Sequence, residues 1–213
     1  MKTYQLISLL AAHLSPVDPH EVTKRFGWAL SAGGMFATLA VVAGYGVRPD
    51  LGDMLLTPLF WMKIAFPLSL ATAAIAATVR LARPGVVVGS AWAALAIPPA
   101  SVWVAALAML ALAPTEAQAS LVLGSTWRSC PFSIAVLSVP GFVALFSTMR
   151  GLAPTRLRLA GAMSGLLSAS VATIAYCLHC PEMEIPFWAI WYLLGMAIPT
   201  AVGAVLGPRL LRW

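Results

Sequence analysis

Charge is scarce in this sequence. Asp, Glu, Lys and Arg make up 9% of 213 residues, against roughly 25% in a typical soluble domain. A surface that meets water on every side needs more, so a conventional soluble enzyme, a coiled coil and a disordered chain are excluded. Only seven residues are acidic, and none stands in the middle of an apolar run. That lack counts against a pump, a secondary transporter or a proton channel, which need ionisable partners inside the bilayer. His13, His20 and His179 avoid such positions too, which excludes haem ligation by helix histidines. There is no Walker loop, no dinucleotide fingerprint and no His-Glu-x-x-His helix. Three cysteines with a single Cys-x2-Cys leave no standard zinc module.

What is present is apolar. Hydrophobic residues make up 61%, and the mean hydropathy is +0.89. A membrane-spanning helix needs about 20 such residues in a row. Six runs qualify: Phe26–Gly46, Pro58–Val79, Val86–Ala113, Pro131–Met149, Leu159–Cys177 and Pro186–Leu206. The expected fold class is all-α integral membrane: a bundle of six transmembrane helices behind a short cytoplasmic N-terminal amphipathic helix. The third run is the longest, and Pro98-Pro99 in its middle predicts a kink or tilt. Gly33-Gly34, and Gly161, Ser164, Gly165 and Ser168, allow close backbone packing in lipid. Residues 1–14 are too short and too mixed for a cleavable signal peptide.

The basic residues set the orientation. With the N-terminus in the cytoplasm, ten lie inside: Lys2, Lys24, Arg25, Arg80, Arg83, Arg150, Arg156, Arg158, Arg209 and Arg212. Two, Arg48 and Arg128, lie outside. The positive-inside rule therefore places both termini in the cytoplasm. The net charge of +6 is then a topology signal and no footprint for nucleic acid. Lys63, near the outer end of its run, is expected to snorkel to the interface. Trp61, Trp127, Trp188, Trp191, Tyr192 and Trp213 are expected to form interfacial belts.

Two features invite a functional reading. Leu6, Leu9, Leu10 and Leu14 fall on one apolar stripe at helical spacing. The stripe suits an anchor lying on the inner leaflet or a helix that docks in a partner's groove. The cysteines form the second feature. Cys130 opens the fourth span, and Cys177 and Cys180 close the fifth, so all three fall at the outer rim. Cysteine also serves there as a small hydrophobe. A thiol–disulfide switch between Cys130 and the last loop is one functional reading. A soft-metal site built from thiolates, His179 and Met183 is the other.

The C-terminal half carries ordered motifs: Trp127-Arg128-Ser129-Cys130-Pro131, Ala153-Pro154-Thr155-Arg156, Leu178-His179-Cys180-Pro181-Glu182, Pro186-Phe187-Trp188 and a closing Gly207-Pro208-Arg209-Leu210-Leu211-Arg212-Trp213. With Leu6-Ile7-Ser8-Leu9-Leu10-Ala11 and Pro16-Val17 at the start, the chain resembles the NrsF-type family, the six-span membrane anti-sigma factors of proteobacteria. The resemblance covers essentially the full chain. It implies a multi-pass protein of the bacterial inner membrane that sequesters an extracytoplasmic-function sigma factor. It implies release when periplasmic Cys130 and Cys180 meet oxidative or heavy-metal stress. Cys177 is outside the family pattern.

On that basis residues 1–25 are the cytoplasmic sigma-binding segment, acting through Leu6, Leu9, Leu10 and Leu14, and residues 26–213 are the transmembrane domain. The partners implied are the sigma factor and the bilayer, with no direct nucleic acid. No cofactor is required, and a soft ion such as copper or cadmium is a candidate signal at Cys130 and Cys180, with Cys177, His179 and Met183 as accessory donors. The rival readings are a membrane thiol–disulfide oxidoreductase and a metal transporter.

Overall fold

The computed structural model describes residues 3–12, 21–83, 85–152 and 154–212. Among them no strand occurs, and the protein is all-α. Helix α1 (Thr3–Ala12) precedes the bundle. Helix α2 (Glu21–Ala40) runs on through a π-helical turn, Val41–Tyr45. A short α3 (Leu51–Met54) leads to α4 (Pro58–Leu81), α5 (Ala91–Leu112) and α6 (Thr115–Leu123). Then come α7 (Cys130–Arg150), α8 (Leu157–Tyr176), α9 (Ile185–Phe187), a second π-helical turn (Trp188–Tyr192) and α10 (Leu193–Leu210). Six stretches are long and apolar enough to cross a membrane: Glu21–Tyr45, Pro58–Leu81, Ala91–Leu112, Cys130–Arg150, Leu157–Tyr176 and Ile185–Leu210.

Two span starts differ most from the sequence reading, and the sixth span runs on to Leu210. The third span is not the longest: Gly85 and Gly89 adopt φ of +76° and +57°, and the resulting turns hold residues 85–90 out of the helix. The first span begins earlier, because Glu21–Arg25 joins α2 as one helix and Arg25 Nε pairs with Glu21 at 2.7 Å.

Helix α8 is the centre of the bundle. Fourteen of its twenty residues are buried, whereas α5 buries only three of twenty-two and lies at the edge. Lipid provides no hydrophobic drive between helices, so close approach has to supply the packing energy. Glycine allows it. A Cβ at Gly161 would sit 2.1 Å from the Gly203 carbonyl oxygen, and one at Gly165 would sit 2.2 Å from that of Pro199. The backbones of α8 and α10 are therefore in contact. The buried hydroxyls of α8 are satisfied within the helix: Ser164, Ser168 and Thr173 donate to the carbonyls of Ala160, Gly165 and Ala169 at 2.9, 2.9 and 2.7 Å. They line no polar path.

Candidate functional site

The outer end of the bundle is closed by the segment between α8 and α9, residues 177–184. Helix α8 ends at Tyr176, and Pro181 and Pro186 keep the chain from continuing it. The N–H groups of residues 177–180 bond back to the last turn of α8. Three other parts of the chain also bind the segment.

The first clamp comes from the turn after α2. Gly46, at φ +82°, turns its carbonyl to His179, whose Nδ1–H donates to it at 2.8 Å. The backbone N–H of Arg48 donates to Leu178 O at 3.0 Å. The Arg48 guanidinium is buried, holds both Asp50 carboxylate oxygens at 2.7 Å, and reaches Cys180 O and Met183 Sδ, each at 3.3 Å. The Arg48 fork holds the Asp50 carboxyl below the ordinary carboxylate range.

The second clamp is Lys63 of α4. Its side chain is 0% exposed, and Nζ donates to the carbonyls of Cys180 and Glu182, both at 2.7 Å. The expectation that Lys63 snorkels outward is therefore wrong. Two backbone carbonyls and the face of the Tyr192 ring, 5.9 Å away, offer the ammonium a desolvated partner set that the interface does not.

The third clamp is the turn before α7. The Glu182 carboxylate accepts from the N–H and hydroxyl of Ser125, both at 2.7 Å, and from those of Thr126 at 3.2 and 3.3 Å. Gly124, at φ +52°, makes room for it: a Cβ there would lie 2.5 Å from the carboxylate. Partial burial works against the charge, but these hydrogen bonds outweigh it and hold Glu182 below its ordinary 4.5. A depressed folded value means that this clamp is complete above pH 4.5 and is lost as pH falls through the lower folded value. Glu182→Gln should lower the hydrogen-exchange protection factors of the Ser125 and Thr126 amides at neutral pH, and acid should lower them in the unaltered protein. Equal protection in both proteins would contradict the clamp.

Under this cover lie the cysteines. All three are free thiols, and all three are 0% exposed. Their level in the fold agrees with the sequence reading, but their surroundings do not: they are sealed beneath the segment. Cys130, at the start of α7, and Cys180 lie in one buried cluster. The neighbouring Cys130 thiol and the charge of Lys63 act against burial and hold the Cys180 thiol below its ordinary range. Cys177 lies in the same cluster, against the Tyr192 hydroxyl at 3.9 Å. Trp188 and Tyr192, expected in an interfacial belt, are buried in the same cluster. The π-helical turn of residues 188–192 aims Trp188 at Glu182, whose carbonyl its Nε1–H reaches at 3.3 Å.

His179 Nδ1 and Met183 Sδ are hydrogen-bonded to Gly46 and Arg48. Among the described residues, no group of three or more His, Cys, Asp or Glu is placed to hold an ion.

At the other end of the chain, α1 confirms a helix under the leucine stripe. Its Tyr4 and Ile7 are exposed. Leu14 and the side chains of Leu6, Leu9 and Leu10 lie outside the described residues.

This arrangement can be compared with known proteins. The family model described as NrsF, negative regulator of sigma F, matches residues 10–213. The chain belongs to the NrsF family. It is 47% identical to the probable anti-sigma-F factor NrsF of Azospira oryzae, over the whole of both chains. It is 36% identical to the anti-sigma-F factor NrsF of Caulobacter vibrioides, again over the whole of both chains. No solved structure matches it. NrsF members are regulators, and six spans with no extramembrane domain between them suit that role.

Sequence reasoning did not find Lys63, Arg48 or Glu182 as parts of the site. For Lys63 a signal existed. An apolar run that carries a lone cation needs a buried partner whenever the cation does not reach water.

Proposed function

We propose that this NrsF-family protein holds an extracytoplasmic-function sigma factor inactive at the inner membrane and releases it when Cys130 and Cys180 form a disulfide. The observation that supports the proposal is that two buried thiols, fifty positions apart in sequence, share one cluster at a segment clamped from three sides. The sigma factor is held by residues 1–25, through the stripe of Leu6, Leu9, Leu10 and Leu14. A helix of about ten residues is marginal alone in water, so it gains its stability from a partner groove.

The chemistry balances with a hydroperoxide as the oxidant. The Cys180 thiolate attacks the terminal oxygen, the O–O bond breaks, and the departing oxygen takes up a proton. The sulfenic acid formed on Cys180 then meets the Cys130 thiol. An S–S bond forms, and water leaves carrying the Cys130 proton. Two sulfurs give up two electrons and the peroxide is reduced. The pair is placed for this step, since one thiol is favoured as thiolate and the other lies beside it.

Helix α2 supplies the route inward. It is continuous from Glu21 to Tyr45. The residues just beyond its outer end clamp the Cys180 segment, and its inner end follows the sigma-binding residues directly. A signal transmits only if it favours one state of a two-state element. A new S–S bond restrains Cys180 relative to α7 and so strains its bonds to Arg48 and Lys63. The oxidoreductase reading has less support, since exchange with a protein substrate requires an accessible sulfur and neither is exposed.

The test is co-purification. The detergent-solubilised, reduced protein should retain a sigma factor, and peroxide should release it. Retention of the sigma factor at full disulfide yield, or no sigma factor in the reduced sample, would contradict the proposal.

A further inference from the structure

Lys63 has no role in the reading above beyond that of a clamp, yet its setting is unusual. A lysine at 0% exposure needs a counter-charge or several acceptors. Among the described residues it forms no ion pair, and only two of its three N–H donors have acceptors. Both acceptors belong to the cysteine segment itself: the carbonyls of Cys180 and of Glu182, two residues on.

The surrounding charged and titratable groups are few. Tyr192 of the last span offers a ring face at 5.9 Å. Helix α8 contributes Tyr176 and Cys177, and α7 contributes Cys130. From the turn after α2, Arg48 adds a second cation on the same Cys180 carbonyl, and its own anion, Asp50, is already held in a two-point pair. The Glu182 carboxylate is turned away to Ser125 and Thr126. Of the three cysteines in this cluster, Cys180 is the one that also offers Lys63 its backbone carbonyl.

The geometry points to Lys63 as a positioning residue for the sensor. Its ammonium pairs with the Cys180 thiolate, and disulfide formation, by removing that anion while the S–S bond draws residue 180 toward α7, frees the side chain and lets α4 register the oxidation state. The inference rests on the redox reading above. It is supported by the direction in which the Lys63 charge acts on the Cys180 thiol, toward the ionised form. Oxidation turns a charged sulfur into a neutral one and leaves two cations, Lys63 and Arg48, on one carbonyl with no mobile anion between them. A buried cation that loses its partner is strongly disfavoured. The side chain then moves toward water and gives up its hold on residues 180 and 182.

Two measurements on the full-length protein in detergent test this. The first labels lysines with a water-soluble succinimidyl ester in the reduced and the peroxide-oxidised states, with Lys63 and the Cys130–Cys180 disulfide read by mass spectrometry. Lys63 should label about tenfold faster once the disulfide has formed, the factor expected for about 1.4 kcal/mol of lost protection. A complete disulfide with unchanged Lys63 labelling overturns this inference alone. No disulfide at all overturns it together with the redox reading. The second measurement follows the rate of disulfide formation in peroxide against pH. In Lys63→Met the midpoint should rise by about one to three pH units, and Lys63→Arg should restore it. A Lys63→Met profile that overlays that of the unaltered protein overturns the pairing. Should Lys63→Met fail to fold, Lys63→Gln replaces it under the same criterion, and the labelling measurement needs no variant.

Discussion

The double variant Cys130→Ser/Cys180→Ser keeps the sigma factor bound and no longer releases it in peroxide. Serine has nearly the shape of cysteine and a hydroxyl that hydrogen-bonds, so the pair stays satisfied beneath its cover. The backbone bonds from Arg48 and Lys63 to the carbonyl of residue 180 remain, and without an S–S bond to α7 nothing draws that carbonyl away from them. Repression therefore persists. What disappears is the ability to form the covalent bond, and with it any energy by which peroxide favours one state over the other. In cells, transcription from a promoter dependent on the sigma factor should stay at its uninduced level with and without peroxide. The unaltered protein should respond fully. Induction of the double variant would remove the cysteines from the mechanism. Cys177→Ser, beside Tyr192, should leave the response in place.

Deleting residues 1–14 produces the opposite phenotype: full activity of the sigma factor without any stress. The argument is energetic. Burying a leucine contributes about 1.5–3 kcal/mol, and anchor residues in a docked helix typically cost 2 kcal/mol or more each when truncated. Removing four at once leaves no affinity of consequence. Insertion should survive, because the first apolar span begins at Glu21, beyond the deletion. Membrane immunoblotting confirms that the shortened protein is present, and reporter transcription reads the release. Leu6→Asp with Leu10→Asp should reproduce the deletion at full length. Silence of the reporter at normal protein level would move the sigma-binding site elsewhere.

These two effects are opposite because the functional parts lie at opposite ends of one helix. The outer end of α2 leads into Gly46 and Arg48, which hold the cysteine segment. Its other end begins at Glu21, toward the segment proposed to bind the sigma factor.

Much of this was legible before the structure. The six spans follow from apolar runs in a chain with too little charge for water, and their boundaries moved mainly where local geometry decided them. Gly85 and Gly89 turn the chain at positive φ and shorten the third span. Hydropathy does not register this. The small residues of α8 announced close packing, and Gly161 against Gly203 shows how close.

The cysteine level was legible from topology, and the choice of Cys130 and Cys180 came from the family resemblance. Their burial was not legible. It depends on a segment held by Lys63, Arg48 and Glu182, whose partners lie 117, 132 and 57 positions away in sequence. A lysine near a span end reads as snorkelling unless the fold brings carbonyls to it. Nor were the bonds of His179 and Met183 to Gly46 and Arg48 legible.

The most direct test follows one sample of the reduced, sigma-loaded protein through a peroxide time course. Disulfide content at Cys130–Cys180 and retained sigma factor are measured at each point. The account predicts that the two change together, one equivalent of sigma factor leaving for each disulfide formed, and that a thiol reductant restores binding. Release that runs ahead of the disulfide, or a complete disulfide with the sigma factor still bound, would contradict it.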